Sequence, residues 1–206
     1  MARLVGRIPL SVRVRAQRAY LYGKWIARRY PVPAPQVAKL GVLARYGDLA
    51  GTWIESGTYL GDTTRVLARK AERVYTIEPS SQLAERARAR LADLGDVQVL
   101  EGLSEDLLPG VLEDLTGSVS FWLDGHASGG LTHSGSKVTP IREELTAISA
   151  CLPQFSRIAV FVDDFRGFGG RRTEDGDYPP RSALVDWADA HALNWTVEHD
   201  IFVAWS

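Results

Sequence analysis

The stretch Trp53-Ile-Glu-Ser-Gly-Thr-Tyr-Leu-Gly-Asp-Thr-Thr64 decides how this chain folds. A short apolar run ends at Glu55, Gly57 and Gly61 frame a loop, and a helical pattern begins near Asp62. A strand, a glycine loop and a helix in immediate succession make the first turn of an open parallel sheet, where such sheets bind ligands. The two glycines let the backbone approach a bound molecule closely. Their spacing excludes two phosphate-binding loops. A dinucleotide fingerprint needs glycines at positions 1, 3 and 6, and counting from Gly57 the later two positions hold Tyr59 and Asp62. A P-loop would need Gly-Lys-Ser/Thr, and none follows. Taken alone, the glycine pair serves a tight turn without a ligand equally well.

Outward from that turn, strand and helix patterns alternate. Strands are expected at Gly51–Glu55, Arg73–Glu78, Val97–Glu101, Val119–Asp124, Arg157–Asp163, Trp195–His199 and Ile201–Trp205. Helices are expected at Asp62–Ala71, Ser80–Leu94, Glu105–Leu115, Pro140–Cys151 and Pro180–His191. Asp62 and Ser80 are N-cap candidates and Pro140 suits a first turn. Such alternation predicts a parallel sheet covered by helices on both faces. Only Asp200 separates the last two strands, too little for a crossover, so a tight reversal and an antiparallel strand closing the sheet are expected. The fold class is therefore α/β: a Rossmann-like, seven-stranded, mostly parallel sheet with an antiparallel last strand. It occupies residues 48–206, with an N-terminal helical extension over residues 1–47.

The second strand ends in Val74-Tyr-Thr-Ile-Glu78, which places a carboxylate 23 residues after Glu55. An acid there is suited to accept both hydroxyls of a ribose, and Glu55 can receive a ligand's ammonium group. Acid, glycine loop and second acid suit S-adenosylmethionine better than NAD. The arrangement resembles the class I S-adenosylmethionine-dependent methyltransferases. The pattern Glu55-x-Gly57-Thr58-x-x-Gly61-Asp62-Thr63 is similar to the branch containing macrocin-type, metal-dependent O-methyltransferases of sugar hydroxyls. The resemblance implies S-adenosyl-L-methionine held by Glu55, Ser56, Gly57, Thr58, Tyr59, Gly61, Thr63, Glu78, Ser104 and Asp124. Within that set Glu55, Gly57 and Gly61 would meet the methionine moiety, Glu78 the ribose, and Ser104 the region of the adenine.

Two further strands end in acids, Phe121-Trp-Leu-Asp124-Gly-His126 and Val160-Phe-Val-Asp163-Asp164. Three aspartates at one mouth raise one another's pKa unless a cation joins them, and hard oxygen ligands suit Mg²⁺. The resemblance implies the same metal on Asp124, Asp163 and Asp164. One of the adjacent pair could instead cap the next loop or pair with Arg166, Arg171 or Arg172. Neighbouring strand residues face opposite ways, so the pair can share an ion only where the strand ends. His126 is a candidate general base beside Asp124, since imidazole takes a proton near neutral pH. His133 and Lys137 are weaker candidates in a loop, residues 127–139, with the composition of a lid. Metal and base together suit O-methylation of a sugar or phenol hydroxyl.

The 206 residues hold 24 Lys+Arg and 25 Asp+Glu, a net charge of −1. Hydrophobic and charged fractions of 45% and 24% fit a globular domain and argue against disorder, collagen and coiled coil. A single cysteine, Cys151, excludes a disulfide framework and a multi-cysteine metal site. No apolar run reaches the roughly 18 residues of a membrane span, and the Arg-rich start lacks a signal peptide's apolar core. A cytoplasmic protein with no transmembrane segment is expected. The charge is unevenly placed: residues 1–45 hold ten basic and no acidic side chains, while residues 46–206 carry a net −11. Within the arm, Ser11–Arg29 reads as an amphipathic helix and Gln36–Tyr46 as a second, separated by Pro31, Pro33 and Pro35. The arm is a candidate lid, a homo-oligomer contact through Tyr20, Tyr22 and Trp25, or an attractor of anionic surfaces. The acidic body opposes nucleic acid, so the expected partner is a small hydroxyl-bearing acceptor. The alternative function is a degenerate methyltransferase-fold binding module that acts through its basic arm without catalysis. Asp124, Asp163, Asp164 and His126 favour the enzyme.

Overall fold

The computed structural model describes residues 10–124, 139–169, 172, 173 and 176–206. One sheet contains β1 Thr52–Ser56, β2 Arg73–Glu78, β3 Val97–Glu101, β4 Gly117–Leu123, β5 Phe155–Val162, β6 Asn194–Glu198 and β7 Ile201–Trp205. Their order is β3-β2-β1-β4-β5-β7-β6. β1 to β5 pair in parallel, and β7 is antiparallel to both its neighbours. The helices are α1 Leu10–Ala27, α2 Gln36–Tyr46, α3 Asp62–Leu67, α4 Ser81–Leu91, α5 Ser104–Leu112, α6 Ile141–Cys151 and α7 Arg181–Ala190. The expected α/β sheet is what the chain forms. None of the described helices is long and apolar enough to cross a membrane.

Alternation along the central strands builds a core on each face. Ile54, Phe121, Leu123, Val160 and Val162 point toward α5, α6 and α7. Their neighbours Trp53, Trp122 and Phe161 point the other way, toward α2 and α3. Both faces are covered, so β1 is buried along its whole length, as parallel strands between helix layers must be. The last strand does not close the sheet at its edge but runs between β5 and β6. Burial explains the choice: Ile201, Phe202, Val203 and Ala204 are fully buried, whereas Trp195 and Val197 of β6 are exposed. The reversal between them uses His199 at φ 54° and Asp200 at φ 71°, both left-handed, as a two-residue hairpin requires.

The basic arm divides into two unlike parts. Val42 and Leu43 of α2 belong to the core beside Trp53, Phe161 and Val203. α1 forms where the sequence predicts a helix, but its described side chains show no buried apolar stripe. Val14, Tyr20, Leu21, Tyr22 and Ile26 are exposed, and Trp25 alone among its described side chains is buried. Trp25 donates from Nε1 to the Pro31 carbonyl at 2.8 Å and meets the His199 ring edge-on at 4.8 Å. Among its described side chains, α1 is therefore anchored at its C-terminal end. Helix starts also differ from expectation: Gly61, at φ 72°, holds the N-cap of α3, and Asp62 instead pairs with Arg90 at 2.9 Å. Ser80 does occupy the N-cap of α4, without a side-chain capping bond.

Candidate functional site

The chain runs outward from β1 to β3, then returns to β4 on the other side of β1. That reversal opens a crevice at the C-terminal ends of β1 and β4, the place where open α/β sheets bind ligands. The loop after Ser56 fills its near side. Gly57 at φ 86°, Tyr59 at φ 48° and Gly61 at φ 72° turn the backbone through left-handed conformations. The Gly57 and Thr58 N–H groups donate to the Ile77 carbonyl at 3.0 and 3.2 Å, tying the loop to β2. Arg90 holds the outer side by donating to the Leu60 carbonyl at 2.5 Å. A Cβ on Gly61 would lie 3.1 Å from Leu91 Cδ1, so α4 packs where only glycine fits comfortably.

The two acids that frame the loop hold it from beneath. Glu55 is buried, and its Oε2 accepts from the hydroxyls of Thr64 and, at 2.7 Å, Thr76. Thr76 in turn meets the Thr58 hydroxyl at 2.6 Å. Burial raises the Glu55 carboxyl to about 7, against the pull of the Thr64 and Thr76 hydroxyls. Glu78 is also buried; its Oε2 accepts from the Tyr59 N–H at 2.8 Å and its Oε1 from the Ser80 N–H at 3.0 Å. Tyr59 itself stands exposed at the loop tip. Thr63 accepts at Oγ1 from the Gln36 amide of α2, 2.6 Å away.

Across the crevice, the Asp124 N–H donates to the Ser56 carbonyl at 3.0 Å and the Asp163 N–H to the Leu123 carbonyl at 3.1 Å. These bonds align the ends of β1, β4 and β5. The Asp124 carboxyl is pushed well above its ordinary range, first by burial and then by the charge of Asp163, while Lys39 opposes both. Asp163 is buried and ion-paired with Lys39 Nζ from α2. Asp164 adopts φ 52° and pairs with Arg166 at 2.9 Å, one of the partners its neighbourhood in sequence offered. β5 ends at Val162, as sharing would require, yet the adjacent aspartates turn to different cations. Among the described residues no three Asp, Glu, His or Cys side chains gather closely enough to hold a metal ion. With Lys39 and Arg166 in place, Asp124, Asp163 and Asp164 do not fit as a Mg²⁺ ligand set. His126, His133 and Lys137 lie outside the described residues.

Two groups here were not singled out from the sequence. Glu144 of α6 is buried, and its carboxyl is raised to about 7 by burial, against the hydroxyls of Ser104 and Ser56. Ser104, at the start of α5, is buried and thus turns toward α6. Glu144 falls among Ile141, Leu145 and Ile148, the buried positions of its helix, and a charge on an apolar stripe is a signal readable in the sequence. Gln36 and Lys39 lie one turn apart on α2 and reach Thr63 and Asp163 respectively. Nothing in their own segment announces those partners.

No family model and no curated protein matches the chain; solved structures do. A candidate methyltransferase of Streptococcus mutans in complex with SAH aligns at TM-score 0.50 and 16% identity, over 85% of this chain and 98% of that one. A candidate rRNA-methylase from Clostridium thermocellum aligns at TM-score 0.53 and 12% identity, over 81% and 93%. Precorrin 8w decarboxylase of Methanobacterium thermoautotrophicum aligns at TM-score 0.50 and 16% identity, over 86% and 92%. At such identities the likeness establishes the fold, the Rossmann-like sheet of the class I methyltransferases. The three carry different activities in their names, so the chemistry of this chain rests on its own side chains.

Proposed function

We propose that this chain is an S-adenosyl-L-methionine-dependent O-methyltransferase whose acceptor is a hydroxyl of a small molecule, a sugar or glycosylated metabolite. The observation that carries the reading is the alignment of three strand ends around one crevice. They bring together the Ser56–Gly61 loop after β1, Glu78 ending β2 and Asp124 after β4. The loop, with Ser56, Thr58, Tyr59 and Thr63, would border the methionine moiety. Each Glu78 oxygen accepts one backbone N–H and keeps acceptor capacity for a ribose hydroxyl. The S. mutans neighbour in complex with SAH supports this class of ligand, and the Glu55–Thr63 pattern supports a sugar hydroxyl. The net −11 of residues 46–206 disfavours a polyanionic acceptor.

When bound, S-adenosyl-L-methionine supplies a methyl group on a sulfonium, whose departure leaves a neutral thioether. The chain's own work is to align the hydroxyl and hold its proton. Asp124 is suited to that task, because burial and the charge of Asp163 raise its carboxyl well above the ordinary carboxylate range while Lys39 opposes the rise. His126, two residues further along, is a second candidate base. Mg²⁺ enters no step, since Asp163 and Asp164, two of the three aspartates that would hold it, pair with Lys39 and Arg166.

Calorimetry with S-adenosylhomocysteine tests the ligand. Wild type is expected to bind it, and Glu78→Ala to bind at least about tenfold more weakly for loss of a charge-assisted contact worth about 1.5–3 kcal/mol. No binding to the wild type would sink the reading. Asp124→Asn should lower methyl transfer to a glycosylated acceptor by about 10²–10⁴-fold while leaving binding of the nucleoside measurable. Binding without transfer to any hydroxyl acceptor would favour the non-catalytic binding module.

A further inference from the structure

We infer that Lys39 is the resident cation of the acidic mouth, holding the place where a divalent ion would otherwise sit. Lys39 Nζ pairs with Asp163, a side chain 1% exposed, while the lysine itself is 14% exposed. The ammonium also stands 5.9 Å from the centre of the Trp122 ring, a distance at which an aromatic face attracts a cation. One lysine thus meets a buried carboxylate and an indole.

Its position is built into the fold. Lys39 belongs to a helix whose Val42 and Leu43 are core residues, so the ammonium is delivered by packed backbone. One turn earlier, on the same side of α2, Gln36 donates to Thr63 at the start of α3. Residues three apart on a helix are neighbours, so α2 spans the crevice from α3 to the end of β5. A surface lysine making an incidental ion pair has neither feature. Two carboxylates at a buried mouth need a cation, and a tethered ammonium meets that need without a metal. The charge inference stands apart from the methyl-transfer reading. The further role of Lys39, placing a positive charge beside the acceptor hydroxyl, rests on that reading.

The test compares wild type, Lys39→Met, Lys39→Arg and the double variant Lys39→Met/Asp163→Asn. Mn²⁺ binding is followed by electron paramagnetic resonance, and melting is recorded with EDTA or Mg²⁺ at matched ionic strength. Wild type should melt identically with EDTA and Mg²⁺ and show no stoichiometric Mn²⁺ site. Lys39→Met should melt about 10 °C lower, as expected when one partner of a buried ion pair is removed. It should also bind Mn²⁺ at least about tenfold more tightly than wild type, the vacated carboxylates being hard oxygen ligands. Lys39→Arg should keep the indifference to metal, and the double variant should recover most of the melting temperature lost by Lys39→Met. A stoichiometric Mn²⁺ site in wild type would overturn the inference, and so would a double variant no more stable than Lys39→Met. If Lys39→Met does not fold, the wild-type resonance measurement and the folding of the double variant decide. Titration of the same wild-type sample with S-adenosylhomocysteine reports separately on the methyltransferase reading.

Discussion

Glu144 shows how one buried carboxyl links packing to pH. It lies on the face by which α6 meets the sheet, and burial raises it from 4.5 to about 7 despite the hydroxyls of Ser104 and Ser56. A raised carboxyl means that the native state keeps a proton which the unfolded chain releases. Its contribution is therefore fully present below about pH 4.5, falls as pH climbs toward about 7, and stays lost above that. Glu55 is shifted in the same direction and adds to the slope. A rise of this size corresponds to roughly 3 kcal/mol. Glu144→Gln removes the ionisation while keeping the shape, so it should flatten the decline and melt about 6–12 °C higher than wild type at pH 8. Melting curves at several pH values between 4 and 8 check this. Variant and wild-type profiles that run parallel would show that Glu144 is not the titrating group.

At the scale of elements, the loop between β1 and α3 concentrates local constraints. Alanine at Gly61 must hold φ 72° with its Cβ 3.1 Å from Leu91. Gly61→Ala should cost about 1–3 kcal/mol, melt about 2–12 °C lower, and weaken S-adenosylhomocysteine binding by moving the loop. Gly110→Ala, where an added Cβ meets nothing within 4 Å, is the matched control and should leave binding unchanged. This loop was legible in the sequence because its signals are local: an apolar run, two glycines and a change of hydrophobic period. The closing hairpin was legible for the same reason. The place of β7 inside the sheet was not, because it depends on which of two apolar strands buries more surface. Asp62 could not be told from an N-cap while its partner Arg90 lay 28 residues away. The site divides likewise. Glu55, Glu78 and Asp124 are candidates readable from strand ends and Gly57 and Gly61 from the loop between them, whereas Lys39 meets Asp163 across 124 residues of chain, a juxtaposition that only the assembled sheet creates.

For the whole molecule, the uneven charge of the sequence becomes a division of labour between the two arm helices. α1 carries exposed aromatic and basic side chains and rests on the body through Trp25. α2 supplies core residues and the lysine that faces Asp163. The boundary suggested by charge, near residue 47, therefore differs from the boundary set by packing, which falls before α2. Two truncations separate these roles. Removing residues 1–24 deletes, among the described side chains 14–24, only exposed ones, and should leave the melting temperature within about 2 °C of the full chain, since surface changes are usually worth within ±0.5 kcal/mol. Removing residues 1–47 strips Val42, Leu43 and Lys39 from the sheet. Each lost apolar side chain is worth about 2–5 kcal/mol, and breaking the Lys39–Asp163 pair adds to the loss, against a total stability of about 5–15 kcal/mol. That variant should fail to give a cooperative melt. If it folded and still bound S-adenosylhomocysteine, α2 would be an accessory to the sheet, and the acidic mouth would have to find its cation elsewhere.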